Sequence, residues 1–249
     1  MCGIVGYVGS KQAVPILMEG LRRLEYRGYD SSGIATASGG VIERRRAKGK
    51  LSRLDALLEA SPLKGTLAIG HTRWATHGKP SEENAHPHTD CTGSLVVIHN
   101  GIIENYLELK EKLIAAGHCF ESETDTEVVA HLIEEKLKAS GKHAKPDFND
   151  PLLFEAVRHA LNEVRGAYAL AVLWARAPGT IIAAKTASPL VIGLGDGESF
   201  LASDVPAFLD HTRKAVFLDD GEMAVLKSTG VSFFTLAGRK VEKPVHTIQ

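Results

Sequence analysis

The second half of the chain consists mainly of short apolar segments separated by turn sequences, and this pattern constrains the fold most strongly. Two of the turns are Ser228-Thr229-Gly230 and Leu236-Ala237-Gly238. Such segments are typical of antiparallel strands joined by hairpins, and strand–helix–strand crossovers are few. The sequence therefore predicts an α+β fold with antiparallel sheets and external helices, in preference to a doubly wound parallel sheet. The predicted strands of this half are 167–174, 180–185, 190–194, 200–203, 216–218, 223–227 and 231–235.

The first half of the chain mixes strands with helices. Apolar residues recur at three- and four-residue steps in the first helix, which Ser10 is predicted to cap and Gly28 to end. Thr124 with Glu127 matches a capping box at the start of a later helix. The predicted strands are 2–8, 34–37, 41–45, 66–71 and 95–99, and the predicted helices are 11–26, 52–60, 105–116, 126–138 and 152–164.

Length and composition indicate a soluble globular protein. The 249 residues are 44% hydrophobic and carry a formal net charge of -1, which gives no reason to expect nucleic acid or a membrane as a partner. The longest apolar run, 167–175, is far shorter than the ~20 residues of a membrane span. Glycines interrupt the N-terminal apolar stretch, which argues against a signal peptide. We expect one domain over 1–240 and the start of a linker over 241–249.

The cysteines and histidines are the residues that could bind a metal or form disulfides. Three cysteines without a CxxC pair form neither a disulfide framework nor a common zinc motif, and they fit a reducing cytoplasm. The spacing of the histidines at 71, 77, 86, 88 and 99 fits no standard zinc pattern. No phosphate-binding glycine loop follows a strand. We therefore expect neither a metal nor another cofactor.

Cys2 is a candidate nucleophile because it directly follows Met1. Removal of the initiator Met would leave a thiol and an α-amine on one carbon. A free α-amine has a pKa near 8, so part of it is neutral at pH 7 and can accept the thiol proton. One residue would then supply both nucleophile and base. The alternative is that Cys2 is a small apolar residue at the start of a buried strand.

Asn100-Gly101 follows a buried apolar segment. This pair is usually a turn, and we expect the strand to stop there. The same pair can direct an Asn side-chain NH₂ and a Gly backbone N–H at one point. Two such donors would stabilise the oxyanion of an acyl-transfer intermediate.

A long loop over residues 72–93 contains Arg73, Trp74, Thr76 and His77. A guanidinium binds a carboxylate through two hydrogen bonds, and Asp125 near a helix start could hold an ammonium. Together they describe a pocket for a free amino acid. The alternatives are a structural ion pair for Arg73, a favourable helix-start charge for Asp125, and a core position for Trp74.

Several long motifs, in order along the chain, resemble the class II glutamine amidotransferases. The resemblance covers almost the whole chain, to about Val225. It is closest to the branch whose members aminate fructose 6-phosphate to give glucosamine 6-phosphate. The motifs are Met1-Cys-Gly-Ile-Val-Gly6, Arg22-Arg-Leu-Glu-Tyr-Arg-Gly-Tyr-Asp-Ser31, His71-Thr-Arg-Trp-Ala-Thr-His-Gly78, Asn84-Ala-His-Pro-His88, His99-Asn-Gly-Ile-Ile-Glu-Asn105, Ser122-Glu-Thr-Asp-Thr-Glu127, Ser188-Pro-Leu-Val-Ile-Gly193, Ala202-Ser-Asp-Val-Pro206 and Asp219-Asp-Gly-Glu-Met223.

The resemblance implies an N-terminal-nucleophile hydrolase fold, a four-layer αββα sandwich. It implies that Cys2 attacks the side-chain amide of L-glutamine, with its own α-amine as base, and that a thioester forms. The oxyanion hole would be Asn100 and Gly101. The remaining positions match glutamine-binding residues (Arg73, Thr76, His77 and Asp125), a residue of closure and ammonia passage (Trp74) and a supporting residue near the nucleophile (Arg27).

The resemblance also implies a C-terminal sugar-isomerase portion that binds fructose 6-phosphate, in a homo-oligomeric full-length enzyme. This chain stops where that portion would begin, so we expect glutamine hydrolysis without sugar amination. Two other functions stay open. The chain could be a noncatalytic amino-acid-binding regulatory domain if Met1 stays attached, or a glutaminase domain that serves another acceptor.

Overall fold

The computed structural model describes residues 2–28, 30–75, 78–141 and 150–249. Its strands form two sheets in which the paired strands are antiparallel. The strands, numbered along the chain, are β1 (Gly3–Val8), β2 (Ser31–Ser38), β3 (Val41–Lys48), β4 (Leu67–Arg73), β5 (His88–Thr89), β6 (Leu95–Ile103), β7 (Gly166–Trp174), β8 (Ile181–Thr186), β9 (Val191–Leu194), β10 (Ser199–Ala202), β11 (Lys214–Phe217), β12 (Glu222–Lys227), β13 (Gly230–Thr235), β14 (Lys240–Val241) and β15 (His246–Thr247).

Helices lie outside both sheets. Their bounds are α1 (Ala13–Arg23), α2 (Leu51–Ala60), α3 (Tyr106–Ala115), α4 (Glu127–Ala139) and α5 (Asp150–Leu161), with 3₁₀ turns at Glu25–Arg27 and Val205–Ala207. None of the helices in the described ranges is long and apolar enough to cross a membrane.

The first sheet has eight strands in the order β15-β11-β9-β10-β1-β4-β2-β3. The second has seven, in the order β14-β13-β12-β8-β7-β6-β5. β1 is therefore an inner strand, and Val5 pairs with Gly70 on one side and Ala202 on the other. This position fixes the backbone that leads to Cys2 at one end of the first sheet.

Three apolar clusters separate four layers. Residues of both sheets, such as Ile69 and Ile98, fill the space between them. A second cluster packs α1 and α2 against the outer face of the first sheet. The third packs α3, α4 and α5 against the outer face of the second sheet. Each isoleucine or leucine buried in these layers contributes about 1.5–3 kcal/mol. The predicted αββα sandwich of antiparallel sheets is confirmed.

The prediction of a strand end at Asn100-Gly101 was wrong. β6 continues to Ile103, and Asn100 and Gly101 pair with Ala169 and Tyr168 of β7. Gly101 has φ 127°, and a Cβ there would lie 1.9 Å from the carbonyl oxygen of Ala167. The glycine thus allows a close approach of two strands rather than a chain reversal.

Both predicted helix caps were also wrong. The backbone N–H of Ala13 donates to the carbonyl of Gly65 (2.9 Å), so α1 begins after Ser10 without a side-chain cap. At α4 the carboxylate of Glu127 accepts from the backbone N–H groups of Glu121 and Ser122, both at 2.7 Å. The segment before α4 folds back over the helix start, so these donors replace the expected partner Thr124.

The end of the first helix and the C-terminal segment of the chain also differ from the prediction. Helix α1 ends at Arg23, and the last turn predicted for it is instead a 3₁₀ turn before Gly28. The predicted linker over 241–249 contributes strand residues: β14 pairs with β13, and β15 pairs with β11. This segment therefore packs on the same two sheets as the preceding chain.

Candidate active site

One cavity of about 260 Å³ gathers most of the predicted site residues. They come from distant parts of the sequence, because β1, β4, β6 and the segment before α4 end around the same space. The predicted residues that line it are Cys2, Arg27, Arg73, Trp74, Asn100, Gly101 and Asp125. Thr76 and His77, also predicted to bind substrate, lie outside the described residues.

The Cys2 thiol lies against the backbone of Trp74. The Trp74 N–H donates to Sγ at 3.2 Å, and Sγ is 3.6 Å from the Trp74 carbonyl oxygen. Burial raises the pKa of this thiol, and the Trp74 N–H opposes that effect only in part. The thiol is therefore protonated at neutral pH, so its use as a nucleophile requires a base.

Two glycines allow the backbone to approach the thiol closely. A Cβ on Gly3 would lie 2.6 Å from Thr72 Oγ1 and 3.0 Å from Leu24 Cβ. A Cβ on Gly28 would lie 3.0 Å from the Trp74 backbone nitrogen. Side chains at these two positions would push β4 and the Trp74 backbone away from Cys2.

Asn100 is held in one orientation beside Cys2. Its Oδ1 lies 2.8 Å from His71 Nε2, and its Nδ2 donates to the Cys2 carbonyl oxygen at 3.0 Å. Burial lowers the pKa of His71 to about 3, so the ring is neutral and its Nε2–H donates to the amide oxygen. An amide nitrogen carries two hydrogens, so one remains for a ligand at the thiol.

Arg73 and Asp125 supply opposite charges to the cavity, and both are buried. Arg73 Nη2 donates to the Gly78 carbonyl oxygen at 3.1 Å. Burial lowers the pKa of Arg73, while the carboxylates of Asp30 and Asp125 oppose this shift. Asp125 Oδ2 accepts the backbone N–H of Ile103 at 2.7 Å, which fixes the carboxylate against β6. A cation and an anion in one cavity can bind the carboxylate and ammonium of an amino acid.

Arg27 forms one wall of the cavity and is tied to a loop of the first sheet. Its Nη1 donates to Asp204 Oδ2 at 2.9 Å, and the Tyr26 hydroxyl donates to the same oxygen at 2.7 Å.

The Trp74 side chain is 51% exposed at the cavity, so the alternative of a core position for Trp74 is wrong.

Asp30 and several lining residues are functional candidates that the sequence alone did not indicate. Asp30 accepts a hydrogen bond from the Ala75 backbone N–H, and its own N–H donates to the Arg73 carbonyl oxygen at 3.0 Å. It therefore fixes the turn that holds Trp74 against Cys2. The remaining lining residues are His86, His99, Ile102, Thr124, Thr126, Ser188 and Pro189. Asp30 lies inside the motif of residues 22–31, and this position was the one sequence signal that could have indicated a role for it.

Three buried histidines, His71, His86 and His99, pack together beside the cavity. The His71 and His86 rings stack with centroids 4.1 Å apart. The backbone N–H of His99 donates to His86 Nδ1 at 3.2 Å, so that nitrogen is an acceptor. Burial lowers the pKa of His86 well below its usual value, as it does for His71. Both rings are therefore neutral in the folded protein.

We expect the protein to lose stability as pH falls below about 6.5. The unfolded chain then protonates His71 and His86, whereas the folded chain does not until much lower pH, about 3 for His71. Each proton bound only by the unfolded state changes the free energy of unfolding by about 1.4 kcal/mol per pH unit, so the two histidines together contribute about 2.8 kcal/mol per pH unit. Urea unfolding between pH ~5 and ~6.5, above the range of the carboxylates, measures this slope.

A matched pair of variants assigns the effect. His86→Gln should flatten the slope by about 1.4 kcal/mol per pH unit, because glutamine does not titrate and can accept the same backbone hydrogen bond. His159→Gln, at an exposed position, should leave the slope unchanged. Equal slopes in the two variants would show that His86 is not the source.

Comparisons with known proteins agree with this geometry. A family model described as "Glutamine amidotransferase domain" matches residues 71–210. The chain is 51% identical over its full length to the glutamine–fructose-6-phosphate aminotransferase [isomerizing] of Thermococcus kodakarensis. It is 54% identical, over 98% of the chain, to the protein of the same name from Thermus thermophilus. The chain spans only 40% and 38% of these two relatives.

Solved structures give the same fold. The glutamine phosphoribosylpyrophosphate amidotransferase of B. subtilis superimposes with a TM-score of 0.76 at 29% identity, covering 94% of this chain and 49% of that one. A glutamine aminotransferase class-II domain protein from Silicibacter pomeroyi superimposes with a TM-score of 0.60 at 13% identity, covering 94% and 99%. With the matched family model and the cavity around Cys2, these findings show that the chain belongs to the glutamine amidotransferase domain family.

Proposed function

We propose that this chain hydrolyses L-glutamine to L-glutamate and ammonia through a thioester on Cys2. The observation that carries the proposal is the placement of the Cys2 thiol, the Asn100 amide and the charges of Arg73 and Asp125 around one cavity. The charges would hold the α-carboxylate and α-ammonium of glutamine. The side-chain amide then has to reach the thiol, which is the only cysteine that lines the described part of this cavity.

The acylation step follows from these positions. With Met1 removed, the α-amine of Cys2 accepts the thiol proton, and Sγ attacks the amide carbon of the substrate. The oxyanion that forms takes the second Nδ2 hydrogen of Asn100 and the backbone N–H of Gly101. The protonated amine then donates its proton to the leaving nitrogen, and ammonia departs.

The deacylation step reverses the proton transfers. The free α-amine takes a proton from water, which attacks the thioester carbon, and the same two donors stabilise the second oxyanion. Collapse of this intermediate breaks the C–S bond, returns the proton to sulfur and releases glutamate. The raised pKa of the thiol makes the protonated state the resting one, which is why the amine is needed in each cycle.

Asn100→Ala should lower kcat by about 10²–10³-fold with little change in KM for glutamine. The reason is that Nδ2 binds charge that develops only in the intermediate, whereas Arg73 and Asp125 bind the ground-state ends of the substrate. Steady-state rates of glutamate formation at several glutamine concentrations separate the two parameters. A large rise in KM with unchanged kcat would instead make Asn100 a binding residue.

The proposal for the ammonia acceptor rests on the names of the relatives. The relatives are named for fructose 6-phosphate amination, and this chain corresponds to about 40% of their length. We assign fructose 6-phosphate as the acceptor, bound by a C-terminal sugar-isomerase portion in a homo-oligomer.

The three cysteines are unpaired, which fits the reducing cytoplasm as the compartment.

A test of the proposed activity measures glutamate and ammonia from the chain with glutamine alone. Equal amounts of both products, without any sugar phosphate, are expected. Glutamine binding by calorimetry without product would indicate the noncatalytic regulatory alternative. Addition of fructose 6-phosphate should yield no amino sugar from this chain, whereas a full-length relative should form it.

A further inference from the structure

A second group of reactive side chains lies outside the catalytic cavity. It comprises Cys91 in the turn after β5, His118 in the segment after α3, and His131 and Glu134 of α4. The histidines and the glutamate are buried, whereas Cys91 is exposed. One potential ligand atom from each residue lies within 4.8 Å of all the others.

Five of the six separations among these four atoms are close to the edges of a tetrahedron, and the sixth, between Cys91 Sγ and the Glu134 carboxylate, is within 4.8 Å. Cys91 Sγ lies 3.4 Å from Nδ1 of each histidine, and the two Nδ1 atoms are 3.1 Å apart. Glu134 Oε2 lies 3.1 Å from His118 Nδ1 and 3.4 Å from His131 Nδ1. Tetrahedral Zn²⁺ with bonds of about 2.1 Å to N or O and 2.3 Å to S requires ligand-to-ligand distances of about 3.3–3.6 Å.

Carboxylates behind the rings orient the Nδ1 atoms toward one another. His118 Nε2 lies 2.8 Å from Glu135 Oε1, and His131 Nε2 faces Glu127 Oε1 at 3.6 Å. The hydrogen bond to Glu135 places hydrogen on His118 Nε2, so that neutral ring presents its Nδ1 lone pair to the cluster. At His131 the Glu127 carboxylate faces Nε2 beyond hydrogen-bond distance and acts only through its charge. Metal-binding histidines have the arrangement seen at His118, in which the distal nitrogen donates to a carboxylate.

The Glu134 carboxylate is likewise held from outside. Its Oε2 accepts the Cys91 backbone N–H at 3.0 Å, and its Oε1 is 2.9 Å from Lys138 Nζ. One lone pair of Oε2 is thus left for the cluster. With both rings neutral and no cation, two imidazole lone pairs and a carboxylate oxygen would face one another at about van der Waals contact or closer, which is unfavourable in a buried site. A metal ion removes this repulsion, and so would a proton on one of the Nδ1 atoms.

We propose that Cys91, His118, His131 and Glu134 bind one Zn²⁺ ion in a structural, four-coordinate site. Four protein ligands leave no open position, so the ion takes no part in catalysis. Binding replaces the Cys91 thiol proton, which is released to solvent. The exposed Cys91 gives the ion a path from solvent. The site joins the turn after β5 and the segment after α3 to α4, and so braces the helix that follows Asp125.

Cobalt provides the direct test, because tetrahedral Co²⁺ with a thiolate ligand has intense visible bands and a sulfur-to-metal charge-transfer band. The metal-free chain should bind one Co²⁺ with this spectrum, and one Zn²⁺ should displace it. Cys91→Ser should lose the charge-transfer band. Because Cys2 with a free amine can also bind metal, Cys2→Ala is the essential control and should retain the spectrum. Cys119→Ser, which removes the other exposed thiol, should retain it too.

Metal content and the outer carboxylate supply independent measurements. Protein prepared without chelators should contain about one zinc per chain, and Cys91→Ser close to none. Glu135→Ala should weaken zinc affinity by about 10–100-fold, because His118 loses the partner that orients it. Removal of zinc should lower the unfolding temperature of the wild type and leave that of Cys91→Ser unchanged.

The competing account is a metal-free cluster in which an imidazolium and the glutamates form ion pairs. It predicts only the weak spectrum of hydrated Co²⁺, no bound zinc, and no effect of chelators on unfolding; these results would overturn the proposal. Loss of the cobalt band in Cys2→Ala would overturn it as well, because the metal would then lie in the active site. The wild-type spectrum decides the question even where a ligand variant fails to fold.

Discussion

Replacing Cys2 with alanine is expected to abolish glutamine hydrolysis, with a fall in kcat of at least about 10⁴-fold. In the proposed mechanism the thiol forms the covalent intermediate, and no other cysteine lines the described part of the cavity. The fold should persist, because Cys2 precedes β1 and is only partly buried. Glutamate release by the purified variant, with far-UV circular dichroism as the check on folding, measures the effect.

Cys119→Ala is the matched control, because it removes a thiol of the same chain at an exposed position. It should hydrolyse glutamine at the wild-type rate. Cys91→Ala should also keep its turnover number at temperatures well below unfolding. Loss of activity in either control, with activity retained in Cys2→Ala, would place the nucleophile elsewhere.

Asp125→Asn is expected to lower kcat/KM for glutamine by about 30-fold to several thousand-fold. The asparagine can still accept the Ile103 N–H, so the change removes charge and keeps shape. An α-ammonium left unpaired in a partly desolvated pocket costs about 2–5 kcal/mol, and about 1.4 kcal/mol corresponds to tenfold. Part of the loss should appear in kcat, because the ammonium contact also orients the amide against Cys2.

The control for this prediction is a substrate that lacks the α-amino group. The wild type should prefer glutamine strongly over the deamino amide, whereas Asp125→Asn should discriminate little between them. Equal discrimination by both proteins would make Asp125 a helix-start residue only. Arg73→Lys should remain impaired with both substrates, because an ammonium cannot reproduce the paired hydrogen bonds of a guanidinium to a carboxylate.

Much of the fold was predictable because it depends on local patterns. Alternating apolar segments and turn sequences indicated the antiparallel sheets, and apolar steps of three and four residues indicated the helices. The errors arose where distant contacts decided the outcome. Asn100-Gly101 has the composition of a turn, but its pairing with β7 keeps it inside a strand. Ser10 could cap α1, but a backbone carbonyl of residue 65 already binds the first N–H.

The candidate site was predictable mainly through motif resemblance. Spacing alone did not bring Cys2, Arg73 and Asp125 together, since they lie far apart in sequence and meet only in the folded sheets. The role of Asp30 in fixing the Trp74 turn depends on side-chain to backbone contacts, and the motif that contains Asp30 does not indicate these contacts. The group of Cys91, His118, His131 and Glu134 was likewise not visible in the sequence. Its residues come from three segments without a metal-binding spacing, and the expectation of no metal was based on other histidines.

Cys2 is proposed to serve as both nucleophile and base, and a comparison of two N-termini separates these roles. A diazoketone analogue of glutamine is applied to protein whose N-terminus is verified by intact mass, and to a variant with one residue retained before Cys2. The chain that begins at Cys2 should take up one label at Cys2 and lose its glutaminase activity in proportion. The extended chain keeps the thiol and lacks the adjacent amine, so its hydrolysis rate should be close to background. Near-normal glutamine hydrolysis by the extended chain would contradict the account.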